Sequence, residues 1–218
     1  MNIKDIEEPN TMPNTFDAIF AEIFKKQMSL AIKYSDIESM GDLLNTTKNN
    51  IDTAKGQKWI KDFAWRTTEE LAEAFEALEL MDKKEKGEKL NTKEQEDEYW
   101  LHFQEELADA LHFLTELTII AGYDYKIVPN NAHENIEDTD TGAWKTIYNL
   151  GLMCNCLKNK PWKQTQMLTD RPKFEKYLKS TWIAMLKLLF ITMGSYQAIY
   201  MFYFKKSEVN KFRQRSKY

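Results

Sequence analysis

The chain has 218 residues, with 30 Lys and Arg against 34 Asp and Glu, a formal net charge of −4 and a pI near 5.6. That balance gives no global attraction to nucleic acid, although the final stretch KKSEVNKFRQRSKY is locally basic. Only 7 Gly and 5 Pro stand against abundant Leu, Ala, Lys and Glu, so an all-α fold is expected, and no linker-like stretch divides residues 1–218, which read as a single domain. The opening MNIKDIEEPN is polar rather than a secretion leader, and no apolar run reaches membrane-spanning length. Cys154 and Cys156 match neither a zinc nor a redox spacing, so a reducing, cytoplasmic setting is expected.

Phe16, Ile19, Phe20, Ile23, Phe24 and Leu30 recur at helical spacing and predict a first helix over 14–34, with Asn14 or Thr15 at its cap. Residues 36–56 are polar and aperiodic and read as a loop able to act as a mobile lid. A second helix follows from Gln57 to about Lys84, then a charged turn around Gly87, then a third helix from Glu94 to Ala121 that Gly122 stops. These two are predicted to form a central antiparallel hairpin in a helical bundle. Residues 123–142 read as loop. Helices resume over 143–158, 173–193 and 196–214, separated by Pro161, Pro172 and Gly194.

Two carboxylate pairs stand out on the hairpin: Glu70 and Glu73 in WRTTEELAEAFEAL, then Glu106 and Asp109 in HFQEELADALHFL. Residues three apart share a helix face, so two packed helices can bring four acidic side chains into one volume. Such oxygens repel one another unless protonated or bridged by hard cations, which suits Mg²⁺ or Mn²⁺ and, beyond the metal, a phosphorylated ligand. Glu73 is the candidate general base for an attacking water. Glu69 and Glu105 flank the pairs and are expected to be solvated. Lys206, Asn210 and Arg213 fall at i, i+4 and i+7 on the last helix, where they would share a face and hold phosphates. Arg215 and Tyr218 are candidates for closing over the ligand. Trp59 is expected to pack in the core, with stacking on a base as its alternative.

The blocks EELAEAFEAL, EELADALHFL and KKSEVNKFRQRSKY resemble those of the all-α nucleoside triphosphate pyrophosphatases, the superfamily that includes the MazG-like enzymes. Within it the chain looks most like the dimeric dUTPases and the phage dCTP/dUTP pyrophosphatases, which tend to end K-N-x-x-N-x-x-R-Q-x-x-G-Y. Here that ending reads Lys206, Ser207, Asn210, Arg213, Gln214, Lys217 and Tyr218, with Ser207 where Asn is usual and Lys217 where Gly is usual. The resemblance implies Mg²⁺ on Glu70, Glu73, Glu106 and Asp109, phosphates on Lys206, Asn210 and Arg213, water attack at the α phosphorus and a homodimeric assembly. It also implies that Gln27 reads the pyrimidine, with Ala31 where the family's pattern has Asn. A pyrimidine deoxynucleoside triphosphate is the expected substrate, dUTP ahead of dCTP.

Three alternatives stay open on the sequence: a MazG-like enzyme for another dNTP, a di-iron carboxylate bundle, and a non-enzymatic helical adaptor. Asp109 with His112 gives one D-x-x-H, but a di-iron site needs a second. His102 and His112 are therefore expected at an interface or against the core.

Overall fold

The computed structural model describes residues 2–35, 37–45, 50–85, 88–89, 91–130, 138–158 and 169–216. Gly87, Pro161, Lys217 and Tyr218, to which turn, break and tail roles are assigned above, lie outside the described residues. The helices are α1 (Phe16–Tyr34), α2 (Ala54–Met81), α3 (Lys93–Ile120), α4 (Thr139–Cys156), α5 (Arg171–Met193) and α6 (Tyr196–Arg215). Most helix starts are fixed by a capping side chain. Thr15 accepts from Ala18 N at 3.2 Å, Thr53 from Gly56 N at 3.0 Å, and Thr92 forms a reciprocal box with Gln95.

Helices α2 and α3 pack on each other over most of their length. Each has 28 residues, about 42 Å at 1.5 Å per residue. The connection over 82–92 reaches at most about 40 Å fully extended, and it folds back in a short ladder pairing Lys84 with Lys89 and Glu85 with Glu88. Only an antiparallel return fits, as the hairpin reading requires. Ala74, Ala77, Ala108 and Ala110 are buried on this pair, and their small side chains let the two backbones approach.

Helices α4 and α5 form the second pair, and Trp182 of α5 donates to Thr118 Oγ1 of α3 at 3.1 Å. Phe20 and Phe24 of α1 pack on the same indole with ring centroids 6.0 and 5.9 Å apart. Burying a ring such as that of Phe20 stabilises the fold by about 1.5–3 kcal/mol. Gly194, at φ +81°, adopts the left-handed conformation that ends α5, and α6 leaves at 93°. Among the described residues no single helix is long and apolar enough to cross a membrane.

Two segments depart from their expected loop character. The described part of 36–56 is pinned rather than free: Met40 and Ile51 are fully buried, Leu43 and Leu44 nearly so. Asn50 Nδ2 donates to Leu43 O at 2.6 Å and to Ile120 O at 3.1 Å, tying the segment to the end of α3. Within 123–142, Tyr125–Ile127 make a 3-10 turn, and α4 begins at Thr139 because Asp138 caps it by accepting from Thr141 N at 2.8 Å. Pro172 sits inside the first turn of α5, where its missing N–H costs nothing.

Candidate active site

Glu70 lies on the flank of α2, beside the buried stripe of Thr67, Leu71 and Ala74. Glu106 and Asp109 sit on the facing flank of α3, where Phe103, Leu107 and Ala110 supply the buried stripe. The hairpin therefore presses these carboxylates together at the border of the core. One oxygen each of Glu70, Glu106 and Asp109 falls within 4.8 Å of the others. Burial, a hydrogen bond to Glu106 and the charges of Asp109, Glu106 and Glu73 push Glu70 up to about 9 from 4.5, so this cluster keeps a proton at neutral pH. Glu73 stands outside that trio, exposed one turn further along α2, within electrostatic reach of Glu70.

Glu105 is not the solvated side chain expected of it. It is largely screened from water, burial raises its pKa, and Lys206 approaches its Oε2 at 4.0 Å. His102 is half exposed, and its Nδ1 lies 3.1 Å from Glu106 Oε1. With Glu105 and Glu106 it forms a second group of metal-ligating atoms that shares Glu106 with the first. Glu69 is exposed and accepts from Trp65 Nε1 at 2.6 Å, as a solvated role predicts.

Helix α6 brings the cations. Lys206 is 5% exposed, and its Nζ lies 2.8 Å from Asp109 Oδ2. Burial alone lowers its pKa, but Asp109, Glu106 and Glu105 outweigh that and the net direction is upward. Asn210 and Arg213 line a cavity of about 270 Å³ together with Glu70 and Asp109. Arg213 also borders an adjoining hollow of about 350 Å³ that contains Glu105 and Lys206. The i, i+4, i+7 reading of α6 thus puts all three polar groups beside the acidic cluster. Arg215 is exposed and donates to Lys211 O at 3.3 Å, and it does not line this cavity.

The cavity's other end is formed by groups from four helices. Gln27, expected to face the base, is 2% exposed, and the protein already engages both ends of its amide. Its Nε2 donates to Glu116 Oε2 at 2.7 Å, and its Oε1 accepts from Tyr203 OH at 2.8 Å. His112 stacks on Tyr203, ring centroids 4.0 Å apart and planes 12° from parallel. Its Nδ1 lies 2.8 Å from Ala108 O, and a carbonyl only accepts, so Nδ1 carries the proton. Burial lowers the His112 pKa, leaving Nε2 as a bare acceptor with no partner among the described residues. Arg66 lies over Phe63 and pairs with Glu38 at 2.8 Å, closing the wall between α2 and the 37–45 segment. Trp59 packs at 5.9 Å on Phe63 and does not line the cavity.

Glu116, Arg66 and Glu38 escape the motif reading because none belongs to a carboxylate pair. Glu116 did leave a trace: a lone charge inside LTELTII, seven residues after Asp109 and so on nearly the same face.

An acidic cluster at the edge of a helical hairpin thus stands beside a lysine and an arginine from a third helix, an arrangement whose chemistry suits a cation and a polyanion. A family model described as dUTPase matches residues 40–218. The chain belongs to this dUTPase family, and with it to the nucleotide diphosphatases. No curated protein and no solved structure matches. The match covers α2 to α6, whereas α1 with Gln27 lies outside it.

Proposed function

We propose that the chain hydrolyses a pyrimidine deoxynucleoside triphosphate, dUTP ahead of dCTP, to the monophosphate and pyrophosphate in a Mg²⁺-dependent reaction. The observation that carries this reading is the convergence of Glu70, Glu106 and Asp109 within 4.8 Å, beside the cavity that Asn210 and Arg213 line. The donor set fits a hard divalent cation, since three carboxylates this close hold a proton on Glu70 that a cation would replace. Glu70, Glu106 and Asp109 would hold it, with Glu73 adding a fourth oxygen from the solvent side. When bound, the cation would supply neutralisation of phosphate charge and a more acidic water.

The protein's own groups do the rest. Arg213 and Asn210 hold the β and γ phosphates, and Lys206, anchored on Asp109, offers its remaining N–H donors to the same oxygens. A water oxygen bonds to the α phosphorus, the bond from that phosphorus to the bridging oxygen breaks, and pyrophosphate leaves with the electron pair. Glu73 takes the proton from the attacking water. In the same reading the chain acts as a homodimer in the cytoplasm, its residues 1–218 folding as a single domain.

Incubation of the purified protein with Mg²⁺ and each dNTP tests the assignment, with monophosphate and pyrophosphate as the expected products. Folded protein that turns over no nucleotide refutes it. Size-exclusion chromatography with light scattering tests the dimer.

A further inference from the structure

The cavity ends in a carboxyl group that the reaction above does not use. Glu116 is 6% exposed and borders the same cavity as Glu70, Asp109 and Arg213. Gln27 grips its Oε2, and Tyr203 in turn grips Gln27, so the amide is spent on the protein and the oxygen left for a ligand is Glu116 Oε1. Resting on the nucleotide diphosphatase reading of this site, we propose that Glu116, oriented by Gln27, reads the pyrimidine by donating Oε1–H to the 4-carbonyl, so that 4-oxo bases are selected over 4-amino bases.

The position of the proton follows from the hydrogen bonds. Oε2 accepts from an amide N–H at 2.7 Å, and the carbonyl oxygen of a neutral carboxyl is its better acceptor, which favours the hydrogen on Oε1. Burial pushes Glu116 up to about 8, and Glu38 adds to the rise, while the Gln27 hydrogen bond and Arg66 work against it. The groups facing it are Gln27 and Tyr34 from α1, Glu38 from the segment that follows, Arg66 from α2, Tyr203 from α6 and His112 on α3 itself. The charged groups that act on it, Glu38 and Arg66, pair with each other at 2.8 Å, so their fields at Glu116 work in opposite directions, while Glu70, Asp109 and Arg213 line the same cavity. A 4-amino group would set N–H against O–H and leave both donors unpaired. That mismatch predicts about 10- to 100-fold discrimination. Once ionised, Glu116 can only accept, and the 4-amino base gains.

The test compares kcat/KM for dUTP and dCTP from about pH 6.5 to about pH 9, a window that brackets the titration, in wild type, Glu116→Gln and Glu116→Ala. Wild type should favour dUTP and lose selectivity as pH rises. Glu116→Gln can accept from Gln27 through its oxygen while its nitrogen donates, so it should keep the preference without the pH dependence. Glu116→Ala should bring the two substrates to within about threefold. Ionisation of the substrates themselves is common to all three proteins and cancels. Circular dichroism confirms that each variant is folded. An active wild type whose selectivity is unchanged in folded Glu116→Ala overturns the role of Glu116 alone. A wild type inactive on every nucleotide overturns the diphosphatase reading instead.

Discussion

Replacing Glu70 with Gln keeps the shape of the acidic cluster and removes its titratable proton, because the amide can still donate to Glu106. In wild type Glu70 is pushed up to about 9, chiefly by burial and then by Glu106, Asp109 and Glu73. A carboxyl whose folded pKa lies above its unfolded value near 4.5 binds more protons when folded, so the metal-free protein loses stability as pH rises from about 5 towards 9. Full conversion at 1.36 kcal/mol per pKa unit would give about 6 kcal/mol, but solvent screens a partly open group and about 2 kcal/mol is expected. Glu70→Gln should remove the Glu70 share of that decline and leave the share of Glu116, whose pKa is also raised. A divalent cation must displace the Glu70 proton, so its affinity for wild type should rise with pH, by up to about tenfold or about 1.4 kcal/mol per unit, until pH reaches about 9. At a concentration about 100 times Kd the cation adds about 2.7 kcal/mol, or roughly 5–10 °C in Tm for a chain of this size. Differential scanning calorimetry from about pH 6 to about pH 9, with and without MgCl₂, measures both effects. A Mg²⁺-induced gain that is equal in wild type and Glu70→Gln, or independent of pH in wild type, would refute the cluster as a metal site.

Glu73→Gln should lower turnover by about 10²–10⁴ with an unchanged helical signal, whereas Glu69→Gln, at an exposed residue bonded to Trp65, should stay within about twofold. Equal effects in coupled pyrophosphate-release assays would mean that the wrong face of α2 has been assigned. Lys206→Met strips Asp109 of its partner at 2.8 Å in a buried setting, and urea denaturation should show a loss of about 3 kcal/mol. Unchanged stability would place Lys206 outside the fold's charge balance. Gly56→Ala puts a Cβ 2.1 Å from Asn50 O, so a loss of about 2 kcal/mol or more is expected in the same assay, and a neutral result would contradict the close approach of α2 to that segment.

What the sequence made legible, it made legible through period. Helix α1 lies where Phe16, Ile19, Phe20 and Ile23 put it, and the three-residue spacing of Glu106 and Asp109 delivered both to the cluster. Where period failed, the reading failed with it. The start of α4 is set by Asp138, a cap five residues before the first apolar side chain, Ala143, so apolar spacing alone begins the helix a turn late. Met40, Leu43, Leu44 and Ile51 are spread through a polar stretch without regular spacing, and only their tertiary partners show that they are core. Glu105 looked solvated because the lysine that approaches it comes from α6, far along the chain, and no local pattern carries that contact.

Helix α3 places two carboxyl environments of opposite design on one side of a single rod. Asp109 is compensated by a lysine and stands beside Glu70 and Glu106, an arrangement that gains from further positive charge. Burial, with Glu38 beside it, keeps Glu116 neutral against the opposing pull of the Gln27 amide and of Arg66. Seven residues separate the two carboxyls, roughly 10 Å at 1.5 Å per residue, and a nucleotide spans a comparable distance from its phosphate chain to its base. A charge-hungry end and a charge-averse end at that separation sort a polyanion from its neutral heterocycle. Under the proposed function, electrostatics would orient the substrate before any single contact to the base is made.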